Sequence, residues 1–412
     1  VSSKTLKEHL VIVGAGMAGS RLASKVQAEF PDRFTITLIG EEPEAGYNRI
    51  MLSSFLAQEC GLEELMLIDM EQFLENQGVV IAANPAIDIN LNSKQVLLRN
   101  GELIHFDKLV MATGSRSSCL SVKGSDADNV IGFRNLQDVS LMTRLKSESR
   151  VVVIGGGLLG LEAAVGLVKQ GNKVTLLHRA GFLLNRQLDE VSANLLMNRL
   201  SSMGIEFRLG ASTKAFNILP GQVSQAGSVS LSSGEEIEAD LFVVATGIDP
   251  EISLAKRAGL NINRAIIVNE FLETSEKNVF AIGECSEFEG QTFGLVAPIW
   301  SQLDSLLSAL SDRQKAFSVE PVPTKLKVSG VHVFSVGTTC TINDEGVIQY
   351  IDHVLNHYRK LIVKDGKLVG AILYGNVADG GWYFQLIQNQ TDVSTMLDTL
   401  IFGEAYCEKR AA

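Results

Sequence analysis

One pattern is written twice in this chain, and it leaves few folds open. In residues 9–41 the apolar run Leu10-Val11-Ile12-Val13 meets the cluster Gly14-Ala15-Gly16-Met17-Ala18-Gly19. A stretch of helical periodicity follows, and then a second apolar run, Ile36-Thr37-Leu38-Ile39. In residues 150–179 the order returns: Val151-Val152-Val153-Ile154, then Gly155-Gly156-Gly157-Leu158-Leu159-Gly160, a helical stretch, and Val174-Thr175-Leu176-Leu177. Short runs that are apolar at every position belong to strands buried on both faces, as parallel strands are. Each copy therefore reads as a strand–turn–helix–strand unit. Two copies predict two α/β domains of similar build.

The glycine spacing has a chemical reading. The first glycine of each cluster permits a tight turn out of the strand, the second lets backbone approach a pyrophosphate, and the third lets helix and strand touch. The helix N-terminus then offers unpaired N–H groups to the phosphates. In the first copy the candidates are Gly14, Gly16, Ala18 and Gly19, with Glu41 as the carboxylate for the ribose hydroxyls and Glu42 as the second choice. In the second copy they are Gly155, Gly157 and Gly160, but the strand ends in His178 and Arg179 instead of a carboxylate. Arg179, with Arg186 seven residues on, suits a 2′-phosphate, so NADPH is expected as donor, with NADH as the alternative.

Two further signals follow in order. Apolar strands end in Ala112-Thr113-Gly114 and in Ala245-Thr246-Gly247, where small residues let backbone pass close to a cofactor. The run Val279-Phe280-Ala281-Ile282 ends in Gly283-Glu284, placing a carboxylate beside a sugar-like chain.

The remainder of the chain sets boundaries. Its 412 residues are too many for one ordinary domain. Residues 1–114 with 245–320 are expected to form one nucleotide-binding domain and 115–244 the other. From Pro321 and Pro323 onward, alternating strands around an Asp365-Gly366 hairpin turn indicate a small α+β domain, 321–412. The fold class is thus α/β, with two Rossmann-like domains and a C-terminal α+β domain. A net charge of −11 argues against nucleic acid or an anionic membrane as partner. The apolar segment 151–168 holds Glu162 and several glycines, as a buried strand, turn and helix would, and unlike a membrane span. Residues 1–9 carry no secretory apolar core, and five scattered cysteines form no disulfide framework or metal cluster, so a reducing cytoplasm is expected.

The order GxGxxG, ATG, GxGxxG, ATG, AIGE resembles the two-dinucleotide-binding flavoproteins. Within them the chain is most similar to the FAD-containing N-terminal part of NAD(P)H nitrite reductase large subunits. The segments that carry this are Glu41-Glu42-Pro43, Tyr47-Asn48-Arg49, Leu52-Ser53-Ser54, residues 155–164, Gln187-Leu188-Asp189, and the runs AIGEC (281–285), FGLVAP (293–298) and KLKVSG (325–330). The resemblance implies FAD on Gly14, Gly16, Gly19 and Glu41, with Arg49 near the flavin or its pyrophosphate. It places Gly283 and Glu284 at the ribityl region, Val296 and Ala297 at the isoalloxazine, and Glu162 near the nicotinamide carboxamide; Arg49 and Glu162 are the catalytic candidates. Ser54 stands where many ferredoxin reductases carry a lysine, a departure from that branch.

Residues 47–54 contain no cysteine, where the disulfide reductases and peroxidases of the superfamily need one; Cys60 lies nearby in sequence, beyond an expected turn of helix, and reads as a plain buried or surface thiol. The expected activity is hydride transfer from NAD(P)H to FAD and onward delivery of electrons to a partner protein. That partner is a nitrate or nitrite reductase, or alternatively rubredoxin or ferredoxin. A redox-sensing flavoprotein without turnover is the reading from another class. A homodimer through the C-terminal domain is a further expectation. His353 and His357 have the i, i+4 spacing of a helical metal pair but no third ligand.

Overall fold

The computed structural model describes residues 7–407 except 312, 314, 329 and 341–345. Ser329 of the KLKVSG segment therefore lies outside the described residues. The chain divides into two compact units: residues up to Ser117 with Ile248–Glu320, and Ser118–Gly247 with the chain from Pro321.

In the first unit the run beginning at Glu8 forms the middle strand of a five-stranded parallel sheet. Strand Glu8–Val13 pairs with Phe34–Ile39 on one side and Lys108–Met111 on the other. Val79–Ile81 and Val279–Ala281 close the two edges. Leu10, Val11 and Ile12 are fully buried, the condition a central strand covered on both faces imposes. Helix Met17–Glu29 packs its Ala18, Leu22, Ala23 and Val26 on this sheet. A three-stranded antiparallel meander (Ala86–Asn90, Gln95–Leu98, Leu103–His105) is the inserted element.

The second unit repeats the plan. Arg150–Ile154 lies between Lys173–His178 and Leu241–Val244, with Ile205–Leu209 and Val130–Ile131 at the edges, all parallel. Helix Leu158–Lys169 follows the glycine turn. The same unit carries a five-stranded antiparallel sheet in the order Thr324–Val328, Val331–Gly337, Lys367–Tyr374, His357–Lys364, Val347–Asp352. This sheet and helix Gly380–Gln388 share a core of Phe334, Leu361, Leu373 and Tyr383. The Asp365-Gly366 hairpin forms, both residues having positive φ (51° and 72°), which is what a two-residue turn matched to strand twist demands. No described helix is long and apolar enough to cross a membrane; residues 151–168 are a strand, a turn and a helix.

Candidate nucleotide-binding site

Each glycine cluster folds into the same three-part turn. Gly14 has φ +117°, and a Cβ there would sit 2.0 Å from the Ala112 carbonyl oxygen. Gly155 has φ +124°, with the Ala245 carbonyl oxygen at 2.2 Å from the same point. A Cβ on Gly19 or on Gly160 would lie 1.9 Å from the carbonyl oxygen of Gly14 or Gly155, so helix and strand are in direct contact there. The middle glycine behaves in the opposite way. At Gly157 nothing lies within 4 Å of a Cβ position, and at Gly16 only the Arg49 guanidinium does, at 3.9 Å.

Helices Met17–Glu29 and Leu158–Lys169 both begin without a side-chain cap. A pinned turn, an open middle and unpaired helical N–H groups fit a dinucleotide pyrophosphate in both units. In the Ala-Thr-Gly segments the alanine carbonyls abut the first glycines and close the turns. Ala112 is buried, Thr113 Oγ1 donates to the Glu251 carbonyl at 2.7 Å, and Gly114 and Gly247 both take positive φ.

Around the first turn the two acidic residues part ways. Glu41 is exposed and pairs with Arg116 at 3.1 Å. Glu42 accepts hydrogen bonds from Tyr47 Oη (2.6 Å) and from the Arg49 guanidinium, which also lies over the Tyr47 ring. Arg49 is thus held beside Gly16, at the open part of the turn. Ala18 is buried and would touch a Cβ on Gly283 at 3.4 Å. Glu284 accepts from Ser115 Oγ at 2.7 Å. Val296 and Ala297 open helix Val296–Leu310, half-buried and exposed respectively, again with no side-chain cap. Trp300 stacks under the Arg21 guanidinium, 4.3 Å from its ring centre.

Gln302 escaped the sequence reading. It is fully buried, accepts from the Gly283 N–H at 2.7 Å and donates to Ser286 Oγ at 3.1 Å, so it clips helix Val296–Leu310 to the Gly283-Glu284 turn. The available signal was a lone amide among Ile299, Leu303 and Leu306 on a mostly apolar helical face.

Around the second turn, strand register makes the charge reversal explicit. Ile39 and Leu177 occupy equivalent places, each accepting from the first glycine N–H at 2.8 Å. Two residues beyond them stand Glu41 and Arg179. Arg179 and Arg186 are both exposed, and neither has an ion-pair partner among the described residues. His178 is turned inward: its Nδ1 accepts from the Gly156 N–H at 3.0 Å. Burial holds this imidazole below its ordinary pKa, and its buried Nε2 has no hydrogen-bond partner among the described residues. Glu162 lies half-buried in the second turn of helix Leu158–Lys169.

None of the five cysteines forms a disulfide: Cys285 is buried, Cys119 and Cys340 are exposed, and Cys60 and Cys407 are intermediate. Burial raises the Cys285 pKa, the opposite of what a reactive thiol needs. His353 lies in a turn and His357 opens strand His357–Lys364, so the helical pairing of these two does not exist. No group of metal-binding side chains is present among the described residues.

Residues 8–303 match the pyridine nucleotide-disulphide oxidoreductase family, and residues 321–391 match the rubredoxin NAD+ reductase C-terminal domain. The chain is similar to the NAD(P)H nitrite reductase of Bacillus subtilis (strain 168), 36% identical over 94% of this chain and 48% of that protein. The assimilatory nitrate reductase electron transfer subunit of the same organism is 35% identical over 97% of this chain and 51% of its own length. The chain thus spans about half the length of these relatives. The fold is shared with putidaredoxin reductase in its covalent complex with putidaredoxin, at a TM-score of 0.84, 23% identity, and coverage of 97% of this chain and 100% of that one. Two glycine turns built for dinucleotides, and a family match across 8–303, give one conclusion: the chain belongs to the pyridine nucleotide-disulphide oxidoreductase family, whose cofactors are FAD and NAD(P)H.

Proposed function

We propose that this chain takes electrons from NADPH held at the second glycine turn, through FAD held at the first, and passes them to a separate redox protein in nitrate or nitrite assimilation. When bound, FAD supplies the chemistry, accepting a hydride and releasing electrons onward. The protein's share is placement and electrostatics. The open turn at Gly16, Arg49 beside it and the uncapped helix N-terminus would hold the FAD pyrophosphate. Glu41 would face the ribose, and Gly283, Glu284 and the start of helix Val296–Leu310 the rest of the flavin. Gly157 and the helix after it would hold the second pyrophosphate.

One observation carries this reading: the same pinned, open and closed turn stands in both units, with Glu41 in the first where Arg179 stands in the second. Two unpaired guanidiniums on that side favour NADPH over NADH. The assimilatory role rests on the names of the relatives matched over nearly the whole chain. A rubredoxin- or ferredoxin-type acceptor is the second reading, favoured by the match of residues 321–391.

Under argon, NADPH is expected to bleach the flavin absorbance, with NADH needing roughly tenfold more for half-maximal rate. The reduced protein should then pass electrons to a nitrite or nitrate reductase faster than to rubredoxin. Absence of bleaching with either nucleotide rejects the scheme, and faster oxidation by rubredoxin selects the second reading.

A further inference from the structure

A buried polar cluster in the second unit has no part in the scheme above, yet it touches the segment that carries Arg186. Asp189 is the N-cap of helix Glu190–Ser201, accepting from the Ser192 N–H (3.1 Å) and Ser192 Oγ (2.6 Å). Its other oxygen is taken by two side chains of the C-terminal strand His357–Lys364. Tyr358 Oη donates at 2.6 Å and Lys360 Nζ lies at 3.2 Å. Asp189, Tyr358 and Lys360 are all buried. A plain helix cap needs only the Ser192 N–H; the tyrosine and the lysine are additional.

The residues just before Asp189 form a short closed turn. Gln187 N–H and Leu188 N–H both donate to the Leu184 carbonyl, at 2.7 and 2.9 Å. Leu184, at φ +50°, donates its own N–H to the Gly156 carbonyl in the second glycine turn at 2.9 Å. Leu183 and Leu184 are buried, whereas Arg186 at the crest of the turn is exposed. The turn is therefore fastened at both ends. One end is the glycine loop, and the other is Asp189, gripped by the C-terminal strand.

We propose that Tyr358 and Lys360 are positioning residues for nucleotide selectivity: by fixing Asp189 they set where Arg186 stands relative to the glycine loop, and so how well a 2′-phosphate is received. This deepens the NADPH reading and rests on it. Neither residue touches the nucleotide. The C-terminal segment thereby takes part in choosing the electron donor, a task apart from any docking of the acceptor.

The test compares Tyr358→Phe, Lys360→Met and Arg186→Ala by anaerobic flavin bleaching with NADPH and with NADH. Tyr358→Phe and Lys360→Met are expected to raise the half-saturating NADPH concentration about five-fold. The NADH value and the limiting bleaching rate should stay within about two-fold, since only the 2′-phosphate contact is displaced. Adding Tyr358→Phe to Arg186→Ala should raise the NADPH value no further, because both act through one contact. Equal rises for both nucleotides, or additive effects in the double variant, overturn the inference while leaving the NADPH reading intact. An unchanged NADPH-to-NADH ratio in Arg186→Ala overturns this inference, whereas the NADPH reading itself falls only if the wild-type protein shows no preference for NADPH. Should Tyr358→Phe fail to fold, Lys360→Met, which keeps the stem volume, carries the comparison.

Discussion

Six of the seven glycines in the two clusters do three different jobs, and substitution separates them. At Gly14 an alanine would push Cβ into the Ala112 carbonyl and hold a φ that L-residues avoid. Gly14→Ala is expected to cost stability and flavin content together. At Gly157 φ is −85° and the space around a Cβ is open, so Gly157→Ala should fold normally. Its methyl would instead stand where backbone approaches the pyrophosphate, weakening nucleotide binding by roughly tenfold or more. Thermal melting, flavin absorbance and NADPH titration on both variants check this. A Gly157→Ala protein that bound NADPH normally would show that the second turn is not the nucleotide site.

At the scale of elements, the second unit is held partly by a buried ion pair between a helix cap and a strand. Asp189 sits where burial would raise its pKa. Hydrogen bonds from Ser192 and Tyr358, and the charge of Lys360, more than offset this and hold the carboxyl below its usual range. A carboxyl whose folded pKa is depressed favours the folded state at all pH above its unfolded value, and loses that contribution as pH falls through the lowered folded value. Asp189→Asn should therefore lower stability by about 3 kcal/mol at pH 7, since it leaves Lys360 buried without a counter-charge. The difference from wild type should narrow below about pH 4. Urea midpoints at pH 7 and pH 3 measure it. A gap of equal size at both values would rule out the charge as its source.

The whole molecule carries a family name that includes disulphide chemistry, and its thiols argue against that chemistry here. Cys285 is enclosed by the Ile282 and Met111 carbonyls, and its raised pKa keeps it a thiol. Cys119 and Cys340 are exposed and in no disulfide, and residues 47–54 hold no cysteine. Alkylating the accessible thiols with iodoacetamide is expected to change NADPH-driven dye reduction by less than about two-fold. Loss of most of the activity would point to a working thiol that the geometry does not reveal.

What the sequence settled by itself was whatever depends on neighbours along the chain. Apolar runs, glycine spacing and the Asp365-Gly366 turn are local, because strand burial, turn geometry and helix start are each decided within a few residues. The duplicated α/β plan followed from them. Tertiary structure decided which side chains meet across long separations. It turned His178 onto the Gly156 N–H, gave Arg49 to Glu42 and Tyr47 while Glu41 went to Arg116, and buried Gln302 against Gly283. It also joined Asp189 to Tyr358 and Lys360, well over a hundred residues further on. Such partners are chosen by packing, since a polar group taken out of water must find whatever donor or acceptor the folded chain brings to it. No spacing in the sequence encodes that choice.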